Sequence, residues 1–158
     1  MFGLFGFGKK EKIIAAPVAG RVIDITEVED AVFSQKMMGD GFAVEPAAGT
    51  DTITAPCDGT VKLLADTLHA VAIEADGLEV LIHVGIDTVE LAGQGFCALT
   101  KQGAKVNRGD ALIRFDAESI QQAGKPLTTV VVLTNGREKA KKVDKHLDKP
   151  EGVLTVQL

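Results

Sequence analysis

Short apolar segments separated by glycine occupy most of this chain, and they constrain its fold more than any other feature. The chain has 158 residues, of which 17 are glycine and 46% are hydrophobic. Segments rich in β-branched residues are typical of strands, and glycine between them marks turns. The pattern predicts an all-β fold, an antiparallel β-sandwich or barrel with few short helices. The predicted strands are 21–28, 42–45, 60–65, 69–74, 78–84, 111–115, 128–134 and 153–158, and the predicted helices are 117–122 and 137–147.

One segment of the sequence occurs twice in outline. Residues 16–22 read Ala-Pro-Val-Ala-Gly-Arg-Val, and residues 55–61 read Ala-Pro-Cys-Asp-Gly-Thr-Val. Each copy is a proline-containing turn that opens a strand, with glycine at the same position. Two related halves indicate a duplicated β unit, and therefore a barrel-sandwich hybrid.

Length, charge and cysteine content limit the remaining possibilities. We expect one domain over residues 13–158, preceded by a flexible tail over residues 1–12 in which phenylalanine alternates with glycine. The net charge of −5 argues against a nucleic-acid partner. The sequence has neither a long apolar run nor a secretory signal, so we expect a cytoplasmic protein. Cys57 and Cys97 lack metal-binding spacing and are expected to be reduced.

Two histidines are candidate catalytic residues. His83 ends an apolar strand, and a neutral imidazole near pH 7 can act as a nucleophile, a base or a metal ligand. A three-residue turn at 75–77 pairs His69 with His83 and places both rings on one face of the sheet. A two-residue turn at 76–77 shifts the register by one residue and reverses those faces. We prefer the longer turn, because glycine in third place is typical of it, and we expect the two rings to touch.

Three blocks around these histidines resemble a known family. Residues 83–91 read His-Val-Gly-Ile-Asp-Thr-Val-Glu-Leu, and residues 67–69 read Thr-Leu-His. Residues 30–41 fit the pattern Asp-x-Val-Phe-x-x-Lys-x-x-Gly-Asp-Gly. In their order along the chain, 30–41, 67–69 and 83–91, the blocks resemble the glucose-family enzyme IIA component (EIIA, type 1) of the bacterial phosphoenolpyruvate-dependent sugar phosphotransferase system. The resemblance extends from about residue 13 to residue 134.

The resemblance implies a phosphocarrier with a phosphohistidine intermediate. His83 is implied to be the nucleophile, attacking through Nε2 while the backbone carbonyl of Gly85 holds its Nδ1–H. His69 is implied to donate a hydrogen bond to the phosphoryl oxygens, and Thr67 to orient His69. Positioning and charge stabilisation provide most of the catalysis in phosphoryl transfer, so no metal and no cofactor is expected.

The resemblance also implies two protein partners. The phosphocarrier protein HPr would donate the phosphoryl group, and a cysteine of a sugar-specific IIB domain would accept it at the inner face of the membrane. Asp30 and Asp87 are implied to face basic residues of HPr. The apolar part of the partner-binding surface is expected to comprise Val32, Phe33, Met37 and Met38. Membrane contact is expected only through the permease, or weakly through residues 1–12.

Two other functions fit parts of the sequence. Zinc peptidases share the duplicated β architecture and use a His-x-x-x-Asp pair, a spacing that His83 and Asp87 have, with His69 as a third ligand. This sequence lacks the His-x-His pair of those enzymes. We therefore expect at most adventitious zinc binding, at His69 and His83. Biotin- and lipoyl-carrying domains share this style of hairpin but need an exposed lysine at a hairpin tip. Lys36 and Met37 match the biotin motif only in part.

Overall fold

The computed structural model describes residues 10–158, which form mainly β-strands. The strands are β1 (Glu11–Ile14), β2 (Gly20–Asp24), β3 (Gly41–Pro46), β4 (Thr52–Thr54), β5 (Gly59–Leu64), β6 (Ala70–Ala75), β7 (Leu78–Val84), β8 (Phe96–Ala98), β9 (Lys105–Val106), β10 (Ala111–Phe115), β11 (Thr129–Leu133), β12 (Lys142–Lys145) and β13 (Leu154–Gln157). The helices are α1 (Ala31–Ser34), α2 (Ala117–Gln122), α3 (Gly136–Lys139) and the 3₁₀ helices Ile25–Glu27 and Thr88–Leu91.

A seven-stranded sheet in the order β2-β3-β11-β7-β6-β5-β9 forms the centre of the fold. Two three-stranded sheets, β1-β13-β12 and β4-β10-β8, accompany it. Every strand pair within residues 10–158 is antiparallel. The prediction of an all-β antiparallel fold with few short helices is therefore confirmed.

The central sheet is buried on both faces, because its middle strands are apolar at successive positions. In β11, Val131 and Leu133 belong to the main core, whereas Val130 and Val132 belong to a smaller cluster on the opposite face. The connection between β2 and β3, residues 25–40, packs Phe33 into that smaller cluster. His83 points to the same face of β7 as the residues of the smaller cluster, so it lies beside this connection.

The two copies of the repeated segment lie against each other. The amide of Ala15 donates a hydrogen bond to the carbonyl of Pro56 (2.9 Å), and the amide of Thr54 donates one to the carbonyl of Pro17 (2.8 Å). The two bonds are equivalent, because their residues are related by the offset between the two sequence copies. This reciprocal arrangement is what a duplicated β unit with an internal two-fold relation requires.

Two predicted elements differ from the structure. The helix predicted over 137–147 is wrong, because α3 ends at Lys139 and the chain continues as β12, which pairs with β13. Backbone partners supplied by the tertiary structure outweigh weak helix propensity in so short a segment. The strand predicted over 21–28 ends at Asp24, whose side chain accepts a hydrogen bond from the amide of Thr26 and caps a 3₁₀ helix.

Two residues of the predicted tail belong to a strand. Glu11 and Lys12, which the sequence prediction assigns to the tail, pair with Gln157 and Val156 in the sheet. Residues 1–9 of that tail lie outside the described residues. The folded part of the chain therefore includes Glu11 and Lys12.

Candidate active site

The hairpin that carries the two histidines has a different register from the predicted one. Its turn comprises Asp76 and Gly77, both with left-handed backbone angles (φ 50° and 88°). This is the geometry of a two-residue hairpin turn, and it places Ala70, not His69, opposite His83. The predicted three-residue turn and the pairing of His69 with His83 are therefore wrong.

The two imidazole rings nevertheless lie together, as expected. Their centroids are 5.0 Å apart, with an angle of 74° between the ring planes. His69 precedes the first residue of β6 and follows Leu68, which has a left-handed backbone (φ 60°). The alternation of side chains along a strand therefore does not apply to His69, and its ring can reach the face on which His83 lies.

A hydrogen bond at Nδ1 orients each ring. His83 Nδ1 lies 2.7 Å from the carbonyl oxygen of Gly85. A carbonyl can only accept, so Nδ1 carries the proton and Nε2 keeps its lone pair. His69 Nδ1 lies 2.7 Å from the hydroxyl of Thr67. When that hydroxyl donates, His69 carries its proton on Nε2 and can donate a hydrogen bond to an anion.

The turn after β7 holds the carbonyl of Gly85 in place. Gly85 has a left-handed backbone (φ 79°), and a Cβ there would lie 2.5 Å from Thr88 Cγ2 and 2.9 Å from the carbonyl oxygen of Pro126. Thr88 is fully buried and its hydroxyl donates to the carbonyl of Val84 (2.5 Å). The amide of Ile86 donates to the Pro126 carbonyl (3.1 Å). Sequence reasoning did not identify Thr88 and Pro126 as positioning residues, although Thr88 lies within the histidine motif.

Burial keeps both histidines neutral. It lowers the pKa of His69, and the neighbouring His83 lowers it further. Burial also lowers the pKa of His83, against the opposing effects of the Gly85 hydrogen bond and of the Asp30 and Asp87 charges. Both pKa values lie below the ordinary histidine value of about 6.5. At neutral pH the Nε2 of His83 is therefore unprotonated, the state that a nucleophilic imidazole requires.

The connection over residues 25–40 contributes an apolar wall to the site. Phe33 is only 5% exposed, and its ring meets the His83 ring edge-on at a centroid distance of 5.1 Å. Three neighbouring apolar side chains are well exposed: Val32, Met37 and Met38. Val89, two positions beyond Asp87, is 51% exposed and was not identified from the sequence, although it lies within the histidine motif.

The two aspartates predicted at the rim differ in backbone conformation and in side-chain hydrogen bonding. Asp30 precedes α1, and its carboxylate accepts a hydrogen bond from the amide of Val32 (2.9 Å). Asp87 has a left-handed backbone (φ 59°), and its side chain makes no capping hydrogen bond to the 3₁₀ helix that follows. Both carboxylates are close enough to His83 to affect its pKa. They therefore place negative charge near the His83 ring.

The residues that suggested other functions do not form other sites. Within residues 10–158, no three His, Cys, Asp or Glu side chains are grouped to hold a metal ion, so His69, His83 and Asp87 do not form a zinc-peptidase centre. Lys36 lies in the turn after α1 and forms an ion pair with Asp40 (3.6 Å). It is not at the tip of a tight hairpin, as a carrier lysine would be.

The cysteines lie outside the candidate site. Both thiols are free. Cys57 is buried in the main core, and burial raises the pKa of its thiol to about 11, which keeps it protonated and unreactive at neutral pH. Cys97 is exposed on β8. Neither cysteine lies on β6, on β7 or in the turns that carry His69 and His83.

Comparison with known proteins decides the family. The model of the family "phosphoenolpyruvate-dependent sugar phosphotransferase system, EIIA 1" matches residues 12–139. This chain belongs to that EIIA family. The EIIA is 46% identical over 135 residues to the PTS system glucose-specific EIIA component of Bacillus cereus, covering 84% of this chain and 81% of the relative. It is also 50% identical over 118 residues to the PTS system glucose-specific EIICBA component of Streptococcus pneumoniae, covering 74% of this chain and 16% of that longer protein.

A solved structure agrees with this assignment. The EIIA matches the glucose permease IIA of Mycoplasma capricolum with a TM-score of 0.80 and 34% identity, covering 94% of this chain and 97% of that one. The EIIA is thus a phosphocarrier of the sugar phosphotransferase system with a phosphotransferase function, as its motifs implied.

The zinc-peptidase and carrier alternatives receive no support. In the described part of the chain, no helix is long and apolar enough to cross a membrane.

Proposed function

We propose that His83 accepts a phosphoryl group from phospho-HPr and passes it to a cysteine of a sugar-specific IIB domain. The hydrogen bond between His83 Nδ1 and the carbonyl of Gly85 supports this role most directly. It leaves Nε2 unprotonated and beside the second imidazole, at the edge of the apolar wall formed by Phe33. A phosphoryl group on Nε2 would therefore lie within reach of a hydrogen-bond donor.

Two in-line displacements account for the transfer. In the first, the Nε2 lone pair of His83 attacks phosphorus, an N–P bond forms, and the bond between phosphorus and the donor group breaks. In the second, a cysteine thiolate attacks phosphorus, an S–P bond forms, and the N–P bond breaks, returning the electron pair to Nε2. His69 stabilises the phosphoryl oxygens through Nε2–H, with Thr67 holding its other nitrogen.

The surface around His83 fits protein partners of basic character. Asp30 and Asp87 supply negative charge at the rim, which complements basic side chains of HPr. The exposed side chains of Val32, Met37 and Met38, with Phe33 beneath them, supply an apolar contact. Methionine adapts to differently shaped partners, which suits a surface used by both HPr and IIB.

The relatives suggest the acceptor and the sugar. The EIICBA relative joins an EIIA-like segment to other components in one chain, and this supports a IIB domain of a permease as the acceptor. The relatives are named glucose-specific, so glucose is the first sugar to test. We further propose a single EIIA domain that works in the cytoplasm and meets the membrane at the permease, with at most a weak lipid contact through the N-terminal tail.

Phosphorylation by a reconstituted donor system tests the proposal. The protein is incubated with phosphoenolpyruvate, enzyme I and HPr, and an acid-labile phosphate is mapped by mass spectrometry. We expect one phosphate on His83, no phosphate in His83→Ala, and full phosphorylation of His146→Gln, the matched control at the third histidine. Labelling of His83→Ala at wild-type level would rule His83 out as the acceptor.

A second variant separates the roles of the two site histidines. His69→Gln keeps a hydrogen-bond donor but loses the imidazole, so we expect it to accept phosphate from phospho-HPr and to transfer it more slowly to IIB. Rapid-quench measurements of each half-reaction distinguish the two steps. Equal slowing of both steps would contradict the role assigned to His69.

A further inference from the structure

One lysine ties together the two ends of the connection that forms the apolar wall. Lys145 Nζ lies 2.7 Å from Asp24 Oδ1 and 2.7 Å from Asp40 Oδ1. Asp24 is the last residue of β2, and Asp40 directly precedes β3. The connection between them, residues 25–40, carries five of the six residues proposed to bind partners. Lys145 itself comes from β12, within residues 137–149, a segment that contains six lysine and arginine residues.

The arrangement is partly shielded from water and closely paired. The Lys145 and Asp24 side chains are 22% and 26% exposed, and the Asp40 side chain is 42% exposed. Burial raises the pKa of Asp24, but the hydrogen bonds from Lys145 and Thr26 outweigh this effect and lower it to about 2. Asp40 also accepts from the amide of Gly41 (2.8 Å), so its carboxylate is fixed to the start of β3. Charge-assisted hydrogen bonds of this kind are stronger than neutral ones.

Without the ammonium group of Lys145, two carboxylates would face each other at the base of the connection, and Lys36, 3.6 Å from Asp40, is a more distant counter-charge for Asp40 alone. Both oxygens lie within hydrogen-bond distance of the same nitrogen, so their separation is at most twice 2.7 Å. Like charges this close repel, and the strain would act on the segment that places Phe33 against His83. Helix α1 in this segment has only four residues and cannot hold the connection in shape by itself.

We propose that Lys145 is a positioning residue that holds residues 25–40 in the conformation that partner proteins recognise. The proposal rests on the proposed function, because the partner in question is phospho-HPr. Lys145 does not touch the reacting atoms, so its loss weakens docking and leaves the chemical step at His83 intact. The cation acts by neutralising both carboxylates at once, so arginine can replace it.

Steady-state kinetics with phospho-HPr test the proposal. If residues 25–40 keep their ordered conformation in only about a tenth of Lys145→Met molecules, the KM for phospho-HPr rises about tenfold while kcat is unchanged. Lys145→Arg is expected to stay close to wild type. Lys142→Met is the matched control, because Lys142 lies on the same strand but is 69% exposed and, among the described residues, pairs only with Asp144 at 3.8 Å. Adding Asp24→Asn to Lys145→Met removes the repulsion between the two carboxylates. The KM for phospho-HPr should then fall part of the way back to the wild-type value.

Hydrogen exchange separates this proposal from the proposed function. In Lys145→Met, amides of residues 25–40 such as that of Met37, which bonds to the carbonyl of Val32 (3.0 Å), should exchange faster, while those of β10 should not. Unchanged exchange, or a KM equal to that of Lys142→Met, would overturn the role of Lys145. If phospho-HPr does not phosphorylate the wild type, the proposed function fails and the exchange experiment still decides the role of Lys145. Lys145→Gln provides a second variant if Lys145→Met does not fold.

Discussion

At the residue scale, two hydrogen bonds set the proton positions on the imidazoles. The carbonyl of Gly85 assigns the proton of His83 to Nδ1, and the hydroxyl of Thr67 holds the same nitrogen of His69. Both bonds come from residues two positions away in sequence, so they form as soon as the local backbone is in place. Partial burial then lowers both pKa values, and the pair is neutral at neutral pH.

The lowered pKa of His83 predicts how the site responds to pH. Only the unprotonated Nε2 can attack. Because the pKa lies below about 6.5, most His83 rings are unprotonated at every pH from 8 down to about 6.5. We therefore expect phosphoryl acceptance to depend little on the protonation of His83 above pH 6.5 and to decline as the pH falls further. An NMR titration of the His83 ring measures its pKa directly.

A variant at the rim provides the control for this titration. Asp30 raises the pKa of His83 through its charge, so Asp30→Asn should move that pKa further down. Asparagine can still accept the hydrogen bond from Val32, so α1 keeps its cap. A His83 pKa above 6.5, or one that rises in Asp30→Asn, would contradict the electrostatic description of the site.

At the scale of the elements, the turns at the two ends of β7 differ in the space that they leave for a side chain. Gly77 belongs to the turn before β7 and Gly85 to the turn after it, and both have left-handed backbones (φ 88° and 79°). A Cβ at Gly77 would meet only the Lys139 side chain, at 3.8 Å and beyond, whereas one at Gly85 would collide with Thr88 and Pro126. The turn after β7 is therefore the more sensitive position.

The two glycines form a matched pair for mutation. Gly77→Ala adds only backbone strain, so we expect it to lower the free energy of unfolding by about 1–2 kcal/mol and to leave phosphorylation of the folded protein intact. Gly85→Ala adds a collision and displaces the carbonyl that orients His83, so we expect a larger loss of stability and slower phosphorylation. Urea unfolding and rapid-quench labelling measure the two effects. Equal phosphorylation rates in both variants would show that this carbonyl does not position His83.

At the scale of the whole molecule, a few polar contacts join the small sheet β1-β13-β12 to the central sheet. Lys145 of β12 reaches Asp24 at the end of β2 and Asp40 before β3. The apolar core supplies most of the folding energy, but it does not specify how the sheet edges meet. These directional contacts relate the two sheets at the edge where residues 25–40 leave the central sheet.

The low pKa of Asp24 predicts a pH-dependent contribution to stability. Its folded-state pKa of about 2 lies below the ordinary value of about 3.9, so the contribution is present above pH 4 and is lost as the pH falls towards 2. With an allowance for partial solvent exposure, Asp24→Asn should cost about 1–2 kcal/mol at pH 7. Urea unfolding of both proteins from pH 7 to pH 2 measures this difference. A difference that does not shrink with acidification would contradict the role of the Asp24 charge.

Local sequence patterns were sufficient for part of the fold. Helix α2 has the predicted bounds, since Asp116 caps it and Gly124 follows it closely. The apolar strands β7 and β11 were also predicted, since buried central strands are apolar at most positions. Short edge strands such as β9 and β12 were missed, because two to four residues carry too little periodicity to distinguish them from loops.

The sequence by itself determined the chemical groups of this EIIA: two histidines, each with its Nδ1 partner two positions away, and an alternation of short strands that excludes a helical fold. These follow from interactions between near neighbours in the chain. Only the tertiary structure decided the hairpin register, the contact of Phe33 with His83, the support of Gly85 by Pro126 and the link from Lys145 to the ends of the 25–40 connection. The last three contacts join residues distant in sequence, and their geometry depends on how the sheets pack, which local composition does not encode. The register depends on the length of one turn, and a difference of one residue there reverses the faces of a strand.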